Sequence, residues 1–272
     1  FEDLKSNIQS LKQEFSKNTK FKEMNFKKKI KVNIKSNISK KNFIKNINIA
    51  KKYIKNGDIF QVVPSQRFET KYTGSVLKLY QALRKTNPSP FMYYFNFPRF
   101  KIVGSSPEIL VRLRNKKITI RPIAGTRPRG KTKKLDNKYA EDLLKDKKEI
   151  AEHLMLLDLG RNDIGRVANK SSVKVTSEFE IERYSHVMHI VSNVEGKVSS
   201  DKTAFEALMA GFPAGTVSGA PKIRAMQIID ELENTKRGIY AGGIGYITSD
   251  GEMDTCIALR TGIISNNTLF VQ

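Results

Sequence analysis

The spacing of apolar residues changes near Gly57, and no other feature constrains the fold as much. Before that point Phe1, Leu4, Ile8, Leu11 and Phe15 recur at steps of three and four, one face of an amphipathic helix. Phe43, Ile47, Ala50 and Ile54 repeat the pattern, and Gly57 stands where the left-handed residue that closes a helix belongs. After it come short runs rich in β-branched and aromatic residues, "DIFQVVPSQRF", "FMYYFNF", "KIVGSS", "EILVRLR" and "KITIRPI", each bounded by Pro, Gly or Asn. Helical spacing returns from Tyr139 to Leu159, and shorter helices are expected over 204–209 and 221–233. The chain closes on "GIYAGGIGYITSDGEMDTCIALRTGII", which reads as a hairpin. Strands and helices fall in separate blocks joined by hairpin-type connections, so the expected class is α+β with antiparallel sheets rather than a doubly wound parallel sheet.

Charge is the second constraint. The formal net charge is +22, which suits a protein that displaces counterions from phosphates. Its distribution does not. Lysine is dispersed among Asn and Ile in "KEMNFKKKIKVNIKSNISKKNFIKNINIAKK", with few aromatics to stack on bases and no zinc or helix-turn-helix pattern. Compositional drift gives the same result, so no nucleic-acid partner is expected; a basic nucleic-acid-binding protein stays as the alternative from outside the enzymes. No apolar run is long enough to span a bilayer, and "FEDLKSNIQS" lacks the hydrophobic stretch of a signal peptide. The single cysteine, Cys256, excludes an internal disulfide framework. A reducing compartment follows, the cytoplasm or an equivalent such as the plastid stroma. Residues 1–39 read as a helix and a Lys-rich linker from Lys17 to Ser39, and 40–272 as the main domain.

Neither G-x-G-x-x-G nor a phosphate loop occurs, and the spacing in "GFPAGTVSGAPK" is not that of a phosphate loop. Other residues carry chemistry. Glu149 and Glu152, three apart on one helix face, can hold a hard cation; the ordinary alternative is a solvated face paired with Lys145 and Lys148. His189, in the alternating "YSHVMHIVSNVEG", is either a packed strand residue or a proton carrier. Glu108 follows Ser105-Ser106-Pro107 at a strand junction; buried there, it becomes a general acid. In the final hairpin, a loop Ser249-Asp250-Gly251 with Gly251 left-handed sets Thr248 opposite Glu252 and Tyr240 opposite Arg260. That register makes a phenol-guanidinium fork for a carboxylate, or an ordinary cross-strand pair.

Taken together, "GDIFQVVPSQRF", "SSPEILVRL", "RPIAGTRPRG", "KEIAEHLMLLDLGRND", "PAGTVSGAPKIRAM", "RGIYAGGIGYI" and "MDTCIALRT" resemble the chorismate-utilising enzymes, from Gly57 to the end. Within them the chain is most similar to the anthranilate synthase component I (large subunit) branch. Gln61 stands where isochorismate, salicylate and aminodeoxychorismate synthases place a lysine, and Ala124 replaces the lysine typical of aminodeoxychorismate synthase. A glutamine amide neither activates water nor attacks the ring, so the amine comes from outside.

The resemblance implies a chorismate-binding β/α/α/β sandwich with helices between antiparallel sheets, truncated at both ends. It implies a lyase of tryptophan biosynthesis that makes anthranilate and pyruvate from chorismate and ammonia, within a hetero-oligomer whose glutamine amidotransferase subunit supplies the ammonia. Mg²⁺ would be held by Glu149 and Glu152 against the ring carboxylate. Gly125, Thr126 and Thr216 would contact substrate, and Tyr240 and Arg260 would hold the enolpyruvyl carboxylate. Glu108 and His189 would carry the proton transfers beside Gln61, and the basic loop 121–130 would await the dicarboxylate. Asp158, Arg161, Asn162 and Asp163 would brace the helix end. Aminodeoxychorismate synthase is the alternative inside the family. Family members continue into a further metal-binding glutamate, so this segment alone is expected to be weak or inactive.

Overall fold

The computed structural model describes residues 2–16, 32–184 and 186–272. Two compact units divide between Asn33 and Ile34. The first carries helix α1, Glu2–Ser16, where the apolar spacing predicts it. Of the linker expected over 17–39, residues 17–31 lie outside the described residues; Lys35–Ser36 is a short strand, β1, of the second unit.

The second unit continues with α2 (Lys40–Lys55), β2 (Gln61–Val62), β3 (Phe68–Lys71), α3 (Val76–Thr86), β4 (Phe91–Asn96), β5 (Lys101–Ser106), β6 (Ile109–Arg114), β7 (Lys117–Ile120) and β8 (Ile123–Pro128). Then come α4 (Lys133–Lys145), α5 (Lys147–Gly165), β9 (Lys174–Arg183), β10 (Val187–Lys197), α6 (Ala204–Gly211), a 3₁₀ turn (Gly215–Val217), β11 (Gly219–Ala220) and α7 (Lys222–Leu232). Four strands close it: β12 (Gly243–Ile247), β13 (Met253–Ile257), β14 (Thr261–Ser265) and β15 (Thr268–Val271).

Every strand pair is antiparallel, the α+β class expected. One sheet runs β1-β3-β15-β14-β5-β4, a second holds β12-β13-β6-β7-β10-β8 with β9 beside β10, and β2 pairs β11 alone. In the second sheet β9 flanks one side of β10, while β7 and β8 follow each other along its other side. The break between them is Arg121-Pro122, where Ser192 N still reaches Pro122 O at 3.2 Å.

Burial explains the layering. Leu110, Val111, Ile118, Val194 and Met253 of the second sheet pack with Leu157 and Ile164 of α5 and Ala207 and Ala210 of α6. Residues Val76, Leu79 and Tyr80 of α3 cover Val103 and Ile264 of the first sheet. The sheets themselves touch where Tyr93 and Ile102 meet Cys256 and Ile244.

Local chemistry sets the helix ends. Ser39 caps α2, accepting from Asn42 N at 3.2 Å. Its far end closes with Gly57 N to Ile54 O at 3.1 Å and Asp58 N to Tyr53 O at 3.0 Å, the paired bonds expected around a left-handed residue. The helix expected from Tyr139 to Leu159 is instead two helices, α4 and α5, broken at Asp146. The Asp146 carboxylate accepts from Lys148 N and Glu149 N and so starts a new helix. Helix α3 was not anticipated, although Ser75, the spacing Val76, Leu79, Tyr80, Leu83 and the stop at Asn87-Pro88 announce it.

Candidate active site

Helix α5 is the spine of the site. Arg127, on β8, donates to Asp142 and Asp146, each at 2.8 Å, and so clamps β8 to the junction of α4 and α5. That clamp sets Glu149, in the first turn of α5, beside Gly125: a Cβ on Gly125 would lie 3.3 Å from Glu149 Oε2. One turn on, Glu152 Oε1 accepts from Gln61 Nε2 at 2.9 Å. Gln61 reaches this place because β2 pairs with β11, Gln61 opposite Ala220. Both glutamates are half-buried, and among the described residues neither Lys145 nor Lys148 forms an ion pair with them. The solvated-face alternative is thereby removed.

The imidazole of His189 lies across from Thr126 on β8. Its Nδ1 sits 3.0 Å from Gly125 O and 3.1 Å from Thr126 Oγ1. Gly125 is the extra residue of a bulge, since Ala124 pairs Ile190 and Thr126 pairs His189, and its φ of 72° suits glycine. Gly125, Thr126, His189 and Glu149 therefore form one group, joined through α5 to Gln61 and Glu152.

A third group is Glu108 and Thr216. Glu108 is 8% exposed, and burial pushes its carboxyl up to about 8; the Thr216 hydroxyl beside it tempers the rise. Among the described residues no hydrogen bond of good geometry engages the Thr216 hydroxyl, which is buried. Both residues line a cavity of about 30 Å³ with Arg121, Pro122 and Asp163. Gln61 and Glu152 instead line an open cleft of about 1610 Å³, together with Asp158, Arg161 and Lys222. Exposed Asp158 bonds to Arg161 and Asn162, and buried Asp163 takes Lys222 Nζ on both oxygens at 2.8 Å, bracing the end of α5.

Two expectations are corrected. The hairpin keeps the anticipated register, with Gly251 at φ 83° and Ile247 opposite Met253, but the ladder stops at Gly243 opposite Ile257. The chain then crosses to the first sheet, with Arg260 at φ 48° and Thr261 opposite Gly104. Tyr240 and Arg260 are thus not a cross-strand pair. The cation against Tyr240 is Arg237, 5.3 Å from the ring centroid, while Arg260 is exposed. The second correction concerns the basic loop: Arg121 pairs with Glu182, Arg127 with Asp142 and Asp146, and Arg129 with Asp136. These guanidiniums are committed to internal acids and hold the loop rather than await an anion.

The donors at Glu149 and Glu152 suit a hard cation: two carboxylates on successive turns, one of them bonded to an amide. Among the described residues no cluster of three or more His, Cys, Asp or Glu is placed to hold a metal, so water and substrate oxygens would complete the shell. Sequence reasoning passed over Asp146, which positions Glu149, and Tyr184, whose ring lies 5.6 Å from that of His189. The Asp of "LKDKKE" at a helix start was a readable sign of the first; no sequence sign marks the second.

Residues 2–272 match the family described as chorismate binding enzyme. The chain belongs to that family. It is 60% identical over 239 residues to anthranilate synthase component 1 of Cereibacter sphaeroides, covering 88% of this chain and 48% of that protein. The same-named protein of Acetivibrio thermocellus is 55% identical over 246 residues, 90% of this chain and 50% of the relative. The chain spans about half the length of these curated relatives. Among solved structures, anthranilate synthase component I from Streptococcus pneumoniae TIGR4 superposes with TM-score 0.90 at 43% identity, covering 99% of this chain and 60% of that one. The menaquinone-specific isochorismate synthase of Escherichia coli shares the fold, with TM-score 0.79 at 22% identity over 91% of this chain and 59% of that one.

Proposed function

We propose that this chain is the chorismate-binding part of an anthranilate synthase component I, which converts chorismate and ammonia to anthranilate and pyruvate for tryptophan biosynthesis. The observation that carries the reading is Gln61, an amide without acid or base character, which donates at 2.9 Å to Glu152 of α5. Such a group leaves water unactivated and requires an external amine. A glutamine amidotransferase subunit in a hetero-oligomer, or free ammonia, supplies it. No helix among the described residues is long and apolar enough to cross a membrane, in keeping with a cytoplasmic or plastid-stromal enzyme.

The surroundings of each residue support the role proposed for it. Buried Glu108 keeps its proton at neutral pH and gives it to the departing 4-hydroxyl. His189 takes the proton whose loss, with pyruvate, makes the ring aromatic. Gly125 and Thr126 line the substrate beside His189, Thr216 offers its unengaged hydroxyl, and Tyr240 and exposed Arg260 take the enolpyruvyl carboxylate from separate strands' ends. Glu149 and Glu152 would hold Mg²⁺, which when bound neutralises the ring carboxylate. Incubating the full-length protein with chorismate, Mg²⁺ and ammonium tests the reading: a fluorescent ortho-amine with pyruvate is expected. A para-amine would instead identify an aminodeoxychorismate synthase, and absence of amine incorporation would refute both.

A further inference from the structure

His189 is constrained from two sides. On one, the bulge at Gly125 turns a backbone carbonyl onto Nδ1 at 3.0 Å. A carbonyl only accepts, so Nδ1 carries the hydrogen and Nε2 is left with the lone pair. The backbone that presents this carbonyl is one that only glycine suits here. Gly125 is left-handed, and a Cβ there would already meet Leu143, Ile190 and Glu149 at 3.1 to 3.3 Å.

On the other side stands Tyr184, its ring edge-on to the imidazole with centroids 5.6 Å apart and planes at 62°. Tyr184 is itself held at three points. Its hydroxyl donates to Glu182 Oε2 at 2.7 Å, and the other oxygen of Glu182 takes Arg121 Nη2. Its carbonyl accepts from Arg129 at 2.6 Å, and its N–H donates to Val187 O at 2.8 Å. Burial, reinforced by the Glu182 carboxylate, pushes the phenol up to about 12, so the hydroxyl stays a donor. The last of these closes the β9–β10 hairpin, whereas the Glu182 and Arg129 contacts are not required by β-sheet pairing. Arg121 also lines the cavity of Glu108, so one chain of bonds runs between the surroundings of the two proton-transfer groups.

We propose that Tyr184, braced by Glu182 and Arg121, is a positioning residue that keeps the His189 ring turned with Nδ1–H on Gly125 O and Nε2 as the free acceptor. Only the catalytic use of Nε2 rests on the function proposed above; the tautomer does not.

The test is ¹⁵N spectroscopy of imidazole-labelled full-length protein, with the His189 signals assigned by their loss in His189→Gln, alongside turnover. The expected wild-type spectrum shows neutral His189 protonated at Nδ1. Tyr184→Leu should mix in the Nε2–H form and lower kcat about 10- to 100-fold with KM for chorismate nearly unchanged. Tyr184→Phe keeps the ring and loses the Glu182 bond, so it should fall between. Should Tyr184→Leu fail to fold, Glu182→Gln, which frees Arg121 at constant volume, is expected to shift the tautomer in the same direction. Wild-type His189 protonated at Nε2, or spectra and kcat untouched by these changes, would overturn the proposal. A parent inactive on chorismate but with the expected spectra would refute the reaction and uphold the positioning role.

Discussion

Gln61 Nε2 donates to Glu152 Oε1 at 2.9 Å, joining residues 91 positions apart, and the other end of the same amide, Oε1, is buried without a partner among the described residues. One neutral side chain thus fixes a carboxylate of the candidate cation site while keeping an acceptor unused. A buried acceptor without a donor costs free energy, and such groups concentrate where a ligand supplies the missing partner.

Replacing that amide by an ammonium tests the link. In Gln61→Lys the new cation would pair with Glu152 and compete with Mg²⁺ for it. The Mg²⁺ concentration for half-maximal activity of the full-length enzyme should rise about tenfold, for roughly 1.4 kcal/mol of competition. An unchanged Mg²⁺ titration would show that Glu152 is not a metal ligand.

The pH dependence of stability should report Glu108. Its carboxyl is raised from an ordinary 4.5 to about 8 by burial, so between those values the folded chain binds a proton that the unfolded chain does not. Stability from this group falls as pH rises through that window, the penalty is complete above about 8, and it vanishes below 4.5, where both states are protonated. Urea unfolding of Glu108→Gln should therefore match wild type at pH 4 and exceed it at pH 9, by on the order of 2–4 kcal/mol. The same variant should lose about 10²- to 10⁴-fold in kcat.

The end of α5 depends on the pair Asp163–Lys222, whose side chains are 9% and 10% exposed. Lys222→Met leaves a buried carboxylate alone and should cost about 3–5 kcal/mol in urea unfolding. Adding Asp163→Leu should restore most of the loss, because neither charge then remains buried.

How legible was this in the sequence? Local backbone rules were. Gly57 closes α2 as its position requires, and Gly251 sets the register Thr248 opposite Glu252 because only a left-handed residue fits that loop. Pairings between distant charges were not. Arg127 belongs to Asp142 and Asp146, and nothing in the sequence distinguishes this from an arginine facing water or substrate. Register also fails to propagate once a strand leaves its sheet: the count that pairs Ile247 with Met253 would pair Tyr240 with Arg260, but the chain crosses at Ala258 to Arg260 to join β5. The break at Asp146 was legible in the N-capping Asp of "LKDKKE" and was passed over because the apolar spacing continues across it, and the division of the site residues into three groups is a property of tertiary packing. Glu149, Glu152, Gln61, His189, Gly125 and Thr126 were brought near α5 as a set; Glu108 and Thr216 share a separate cavity.

The hairpin offers a check of backbone alone. A Cβ on Gly251 would meet nothing within 4 Å, so Gly251→Ala pays only for φ 83° and should cost about 1–2 kcal/mol in thermal or urea unfolding, with turnover intact.

The central claim is that Glu149 and Glu152 hold the divalent cation against the substrate. Calorimetric titration of Mg²⁺ into the full-length protein with chorismate present, compared with Glu149→Gln and Glu152→Gln, tests it most directly. Each variant should weaken Mg²⁺ binding by about tenfold or more, with turnover falling in parallel. Wild-type Mg²⁺ affinity and turnover in both variants would contradict the account.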